Sequence, residues 1–114
     1  PEFQLAGTGY QARAVVYLKT GEFSVLKGSC AKKEESPTIP ESAKSLRAQL
    51  LADGVLKAAG DAMVFQQDYG FKSTSAAAGV VSGYSMAGPT YWKLASNPAV
   101  TYKQWLQSQA GEGA

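Results

Sequence analysis

The sequence has no histidine and a single cysteine, Cys30, among its 114 residues. Without histidine, the Ser-His-Asp and Cys-His arrangements lack their general base, and zinc loses its usual nitrogen ligand. A lone cysteine cannot form an internal disulfide, which favours a reducing compartment, and we expect the protein to be cytoplasmic. Most hydrolase and zinc-binding classes are therefore excluded.

Long apolar runs and a strong charge of one sign are also missing. No segment approaches the roughly 20 apolar residues of a membrane span, so no membrane partner is expected. The chain carries 11 basic and 9 acidic residues, a net charge of +2. A charge this small permits nucleic-acid binding but does not by itself indicate it.

Carboxylates are the remaining candidates for catalytic groups, but their spacing in the sequence does not indicate a catalytic pair. Acid–base catalysis needs two carboxyl groups that face each other in a pocket and have separated pKa values. Asp53, Asp61 and Asp68 stand beside glycine or in turn contexts, where aspartate is common for its local hydrogen bonds. We therefore expect no catalytic residue, no metal site and no cofactor, and the protein is not expected to be an enzyme.

The length of the chain predicts a single domain with one core. Pro1-Glu2-Phe3 resembles a cloning-site scar, so residues 1–4 are expected to lie outside the fold. The domain is expected over residues 5–109. The glycine-containing end predicts a disordered tail over residues 110–114.

The N-terminal half predicts a β-hairpin. Alternation over residues 12–18 predicts a strand with Arg13 and Ala14 on opposite faces, and residues 23–27 predict the return strand. Gly21 supplies the positive φ that the turn between them requires.

A capping box predicts the first helix. The side chain of Thr38 can cap its start, and Glu41 can reach back from three residues later. The helix is expected to end near Ala52. Its apolar spacing places Leu50 inward and leaves Arg47 on the solvent side.

The remaining segments complete the expected fold. The charges of residues 28–36 cancel and predict a solvated loop, residues 62–66 predict a strand, and Thr101 predicts the start of a last short helix. We expect an α+β domain: a small antiparallel sheet of three to four strands, including the N-terminal hairpin, packed with about three helices.

The segment over residues 71–93 holds a helix start, a run of small residues and a tryptophan. A serine side chain accepts the first free N–H groups of a helix, so this helix is expected to start at Ser73 or Ser75. Gly83 stands where a left-handed terminal residue is needed, and Trp92 is expected in the core. The narrow apolar face of the helix consists of Ala76, Ala77, Val80 and Val81.

A recognisable pattern of serines, an Ala-Ala pair, glycines and Trp-Lys runs through this segment, at Phe71, Ser73, Ser75, Ala76, Ala77, Val80, Val81, Gly83, Ser85, Gly88, Trp92 and Lys93. It resembles the restriction-enzyme-adenine-methylase-associated (RAMA) domains. It is more similar still to a sister family of unknown function that is often fused behind GIY-YIG nuclease domains. Tyr84 stands where the family usually has a basic residue, and Ala87 stands where it usually has asparagine. Both differences remove polar groups.

Further matches to the family pattern lie upstream, at residues 25–29, Arg47, Leu50, Asp68 and Tyr69, and the resemblance covers about residues 13–106. It implies a non-catalytic accessory domain that binds nucleic acid, here taken to be DNA, within a larger restriction or nuclease-type protein.

Candidate contact residues follow from the helix start and from aromatics that alternate with lysines. Free N–H groups at a helix N-terminus can receive a phosphate, and aromatic rings can stack on bases. Ordinary N-capping is the alternative explanation for the two serines, and the pattern favours it over anion binding. The candidates are Lys72, Ser73, Ser75, Tyr84, Tyr91 and Lys93.

A protein-docking module is the alternative function. Near-neutral charge and a surplus of aromatic residues suit an interface with a catalytic domain of the parent polypeptide, or self-association. A basic face that includes Lys72, Lys93 and Lys103 would favour nucleic acid. An exposed apolar patch would favour a protein partner.

Overall fold

The computed structural model describes residues 1–112 of the chain, which form nine strands in one antiparallel sheet and four helices. The strands are β1 (Glu2–Gly7), β2 (Tyr10–Val16), β3 (Phe23–Val25), β4 (Cys30–Lys32), β5 (Leu56–Ala59), β6 (Ala62–Phe65), β7 (Tyr69–Phe71), β8 (Lys93–Leu94) and β9 (Asn97–Thr101). The helices are α1 (Glu41–Ala52), α2 (Thr74–Ser82), α3 (Gly88–Tyr91) and α4 (Tyr102–Glu112).

The α+β assignment holds, but the expected three to four strands and about three helices are wrong. The sheet is more than twice as wide as expected. Four of its strands, β3, β4, β7 and β8, are only two or three residues long. Alternation of apolar and polar residues needs about four residues to be recognised, so β4, β7 and β8 leave no signal in the sequence, and β3 is predicted only as part of the longer segment 23–27.

Strand β2 is the centre of the sheet, whose main order is β5-β6-β4-β2-β1-β8-β9. One edge of β2 pairs along its length with β1. The other edge is divided, since its first half pairs with β4 and its second half with β3, which in turn carries β7. The sheet therefore branches at β2.

The N-terminal residues belong to the fold, which corrects the expectation that residues 1–4 lie outside it. Glu2 pairs with Val15 at the start of β1. Phe3 is fully buried, and its ring packs edge-on against Tyr102 and Trp105 of α4. A residue that buries a whole aromatic ring contributes to the core of the domain.

The expected β2–β3 hairpin is confirmed. Ala14 pairs with Val25, and Gly21 in the turn has a φ of 74°. The expected loop over residues 28–36 is only partly correct, because β4 lies within it and joins β6 to β2.

Helix α1 is confirmed in position, but its expected capping box is wrong. Pro40 occupies the N-cap, and no side chain caps the helix. Leu50 faces the core as expected. Arg47, expected in solvent, is 1% exposed and donates hydrogen bonds to the backbone carbonyls of Lys32, Lys33 and Val80.

Helix α2 begins and ends where the sequence predicts. The N-cap residue Ser73 accepts a hydrogen bond from the N–H of Ala76 at 3.0 Å, and Gly83 ends the helix with a φ of 78°. Trp92 is buried as expected, and its Nε1 donates to the carbonyl of Thr74 at 3.0 Å.

Helix α4 begins at the predicted cap. Thr101 Oγ1 accepts from the N–H of Gln104, and Gln104 Oε1 accepts from the N–H of Thr101, which is a complete capping box. The expected tail over residues 110–114 differs in that α4 continues to Glu112, while residues 113 and 114 lie outside the described residues.

The helices lie on one face of the sheet. Helix α2 packs on β2, β3, β4 and β7, α1 packs beside α2 and on β5, and α4 covers Phe3 of β1. We call the opposite, helix-free side of the sheet the outer face.

Candidate functional site

The two predicted serines lie at the start of α2, where both side chains serve the fold. Ser73 caps the helix, and Ser75 Oγ accepts a hydrogen bond from the N–H of Gly88 at 3.0 Å. Both serines also line a groove of about 530 Å³ together with Pro40 and Ser42 at the start of α1. Ser73 therefore caps α2, and Ser75 holds the chain at Gly88, where it returns to the start of this helix.

The returning chain approaches this end of α2 very closely. A Cβ atom placed on Gly88 would lie 2.3 Å from the carbonyl carbon of Thr74 and 2.4 Å from the nitrogen of Ser75. The first turn of α2 is therefore partly covered by its own chain.

Lys72 and the predicted tyrosines lie elsewhere. The exposed Lys72 lines a second groove, of about 390 Å³, with Gln49 and Tyr69. Tyr84 follows the other end of α2, and its hydroxyl lies 3.4 Å from the hydroxyl of Tyr10. Tyr91 is an exposed residue of α3.

The pKa of Tyr10 reflects these neighbours. Burial, and then the hydrogen bond to Tyr84, raise the pKa of Tyr10 to about 12, and the nearby Tyr84 and Tyr91 hydroxyls add to this increase. The Tyr10 side chain therefore remains a neutral hydroxyl at physiological pH, and with Tyr84 and Tyr91 it forms a small polar cluster at the tip of the β1–β2 hairpin.

Lys93 belongs to the sheet. It pairs with Gln4 of β1, and its Nζ donates to the carbonyl of Thr90 at 3.0 Å. Since Phe3, the neighbour of Gln4, faces the core, the alternation along β1 places Gln4 and its partner Lys93 on the outer face. The six predicted residues therefore do not form one site.

The outer face concentrates positive charge. Side chains alternate along a strand, so strand residues between buried neighbours point to the outer face. The charged residues found there are Arg13, Lys32, Lys57, Lys93 and Glu2. These five strand residues have a net charge of +3. The carboxylate of Glu22, which precedes β3, lies over Gly70 of β7 on the same side and lowers the charge of this face to +2, the net charge of the whole chain.

Strand register connects these cations. Lys93 pairs with Gln4, which pairs with Arg13 on its other side. The next row along the strands runs from Lys57 through Val64 and Cys30 to Gln11. Gln11 lies two residues before Arg13 on the same face of β2. The cations thus belong to one continuous surface.

A shallow depression of about 330 Å³ marks the middle of this surface. It is lined by Gln11, Arg13, Lys27, Ser29 and Cys30, among others. The side chain of Arg13 is 60% exposed and lies 3.8 Å from Glu2 Oε2, a surface ion pair of the kind that contributes little stability. The Arg13 guanidinium is therefore free to exchange this carboxylate for another anion.

Three of the four outer-face cations were not among the predicted contact residues. The alternation predicted over residues 12–18 already separated Arg13 from the core and could have indicated it. Lys32 lies in the charged run that predicted a loop, and Lys57 lies in β5, which carried no strand prediction. Only the pairing of strands brings these residues together.

Two kinds of site do not occur among the described residues. Over residues 1–112 there is no group of three or more Cys, Asp or Glu side chains that could hold a metal ion. Within the same residues, none of the helices is both long and apolar enough to cross a membrane.

Comparison with known proteins assigns the chain to a family. Residues 3–106 match the family described as a domain of unknown function (DUF4357), and the chain belongs to this family. No curated protein matches the chain, and no solved structure matches it.

Proposed function

We propose that this protein is a non-catalytic accessory domain that binds DNA within a larger restriction or nuclease-type protein. The observation that carries the proposal is the concentration of four cations, against one carboxylate, at the strand positions of the helix-free face of the sheet. The resemblance to RAMA domains and to domains fused behind GIY-YIG nucleases supports the proposal that the domain belongs to a larger protein of this type. The absence of histidine from the chain supports a role in binding.

The proposed contacts are made to phosphate. Lysine and arginine side chains neutralise phosphates and release condensed counterions, which makes the affinity depend on salt. Four such contacts give a slope of log K against log salt of about −3.6, so affinity falls about 100-fold between about 50 and 200 mM salt. Of the six predicted contact residues, Lys93 belongs to this face, and the other five stay predictions.

Salt-dependent binding of a labelled duplex of about 20 base pairs tests the proposal. The double variant Arg13→Gln/Lys57→Gln removes two exposed outer-face cations. Lys44→Gln/Lys103→Gln removes two exposed cations from the helical side and serves as the charge-matched control. We expect the slope to shrink by about 1.8 in the first variant and to stay unchanged in the control.

Two results would contradict the proposal. One is the absence of binding at about 50 mM salt, where phosphate contacts are strong. The other is an equal loss of affinity in both double variants, because general charge and not the outer face would then govern binding.

A docking module is the second candidate, and the tip of the β2–β3 hairpin favours it. Tyr17 is 50% exposed and Leu18 69% exposed, and both line a shallow apolar concavity of about 550 Å³ together with Pro1 and Val16. Large exposed apolar side chains that lie together suit a protein partner. If a catalytic domain of the parent polypeptide docks here, Leu18→Ser should weaken its binding, measured by calorimetry, and leave duplex binding unchanged.

A further inference from the structure

We infer that the outer face takes double-stranded DNA in preference to a single strand. This inference rests on the proposed function and deepens it by naming the form of nucleic acid. Three features of the surface support it: the side chains that it lacks, the spacing of its cations and the positions of its acidic residues.

Aromatic side chains are missing from the strand positions of the outer face within residues 1–112. The uncharged residues there include glutamine, serine, threonine, valine, alanine, cysteine and glycine. The aromatic residues of the strands, such as Phe3, Phe23, Phe65 and Phe71, are buried on the helical side. Tyr17 follows β2 at the rim of the sheet. Proteins that hold single strands stack successive bases on aromatic rings, and this surface offers no such platform.

The cations are spaced widely across the sheet. Neighbouring strands lie about 4.8 Å apart. Lys93 on β8 is two strands from Arg13 on β2, and Lys57 on β5 is three strands from Arg13 on the other side. With the offset of two residues between the rows, the backbone positions are separated by about 10 Å and about 15 Å.

These separations suit the two sides of a groove in a duplex. The major groove of B-DNA is about 12 Å wide, so phosphates that border it are separated by a similar distance. Arg13 and the lysine at one end of the row can therefore contact phosphates on the two sides of one groove. A single strand laid along the row could reach the same cations, but its bases would find no aromatic side chain at the strand positions to stack on.

Acidic residues flank this surface. Asp53 and Asp61 lie in turns that follow α1 and precede β6. Asp68 accepts a hydrogen bond from the N–H of Lys27, which places this carboxylate beside the central depression. An approaching duplex therefore meets its strongest attraction across the strands, from Lys93 through Arg13 to Lys57.

Binding of matched probes tests the inference. A labelled duplex of about 20 base pairs and each of its two separate strands are titrated with the protein at about 50 mM salt, followed by fluorescence anisotropy. We expect the duplex to bind at least about tenfold more tightly than either strand, because each phosphate contact releases more counterions from a duplex than from a single strand, and the bases of a single strand gain no stacking here. In the Arg13→Gln/Lys57→Gln variant this preference should fall to less than about threefold.

The outcomes separate the inference from the proposed function. If a single strand binds as tightly as the duplex, or more tightly, the inference is overturned while DNA binding stands. If neither form binds, both fail. If the duplex is preferred but Lys44→Gln/Lys103→Gln abolishes the preference and Arg13→Gln/Lys57→Gln does not, the duplex lies on the helical side and the inference is again overturned.

Discussion

Nη1 of Arg47 donates a hydrogen bond to the carbonyl oxygen of Val80 at 2.7 Å and so joins α1 to the last turn of α2. The cation lies at the C-terminal end of α2, where the unpaired carbonyls carry partial negative charge. Nη2 donates to the carbonyls of Lys32 and Lys33, and Nε lies 3.1 Å from Glu35 Oε2. Burial lowers the pKa of Arg47, and the neighbouring Glu35 opposes this shift.

Replacing this side chain should destabilise the protein strongly. Arg47→Leu leaves three backbone carbonyls and Glu35 without their partner, and loss of one partner from a buried ionic network costs about 3–5 kcal/mol. Urea denaturation measures the change in the free energy of unfolding. Lys44→Leu, an exposed position on the same helix, should change it by less than about 0.5 kcal/mol. If Arg47→Leu lowers the free energy of unfolding by less than about 1 kcal/mol, the cost of burying the Arg47 charge offsets the stability that its hydrogen bonds and ion pair contribute.

Arg47 also shows where the periodicity of a helix misleads. A charged residue between apolar positions is expected in solvent, because an unpaired buried charge is very costly. Here the acceptors come from β4, from the loop after it and from α2, and none of them is near Arg47 in sequence. In contrast, the helix caps at Ser73 and Thr101 and the terminal Gly83 are predicted correctly, because the groups that they bond to lie within a few residues in the sequence.

The candidate surface illustrates the same limit. Alternation within residues 12–18 suffices to place Arg13 opposite the core, but it cannot say which strands adjoin β2. Lys57 and Lys93 are far from Arg13 in sequence and reach its surface only through the pairing of β5, β6 and β4 on one side and of β1 and β8 on the other. The strand β1 itself was lost from the prediction because its first residues resemble a cloning scar.

Gly88 is expected to be intolerant of any side chain. The Cβ of Gly88→Ala would overlap backbone atoms of Thr74 and Ser75, which cannot move without unwinding the start of α2. We expect a loss of about 3 kcal/mol or more, at the upper end for overpacked sites. Gly60→Ala is the control: its φ of 63° strains alanine by about 1–2 kcal/mol, but nothing lies within 4 Å of the new Cβ. Thermal unfolding of both variants should rank Gly88→Ala as clearly the less stable, and equal stabilities would contradict the close approach.

Alkaline titration should show a raised pKa for Tyr10. Its pKa of about 12 in the folded protein lies above the ordinary value of 10.0, so the folded state keeps the proton to higher pH than the unfolded state does. The contribution of Tyr10 to stability is therefore present below pH 10 and is lost as the pH rises toward 12. Absorbance of the phenolate measures the ionisation, with Tyr10→Phe identifying the signal. Tyr84→Phe should lower the pKa of Tyr10 toward 10, because it removes a partner of the neutral hydroxyl, and an unchanged pKa would contradict the contact between the two hydroxyls.

Ser73→Asp decides whether the start of α2 receives a phosphate. Aspartate caps a helix as well as serine does, and its charge suits the N-terminal end of the dipole, so stability should change by less than about 0.5 kcal/mol. Ser73→Ala is the control that removes the cap without adding charge, and it should cost about 1 kcal/mol.

Duplex affinity of the same variants then distinguishes the two surfaces. With phosphates held on the outer face, Ser73→Asp should change affinity at about 50 mM salt by less than about twofold, since the groove at α2 opens on the helical side. Arg13→Glu on the outer face should lower it at least about tenfold, because it replaces an attraction by a repulsion. A loss of tenfold or more in Ser73→Asp together with an unaffected Arg13→Glu would instead place the phosphate at the N-terminus of α2, where Lys72 and Ser75 are the neighbouring candidates.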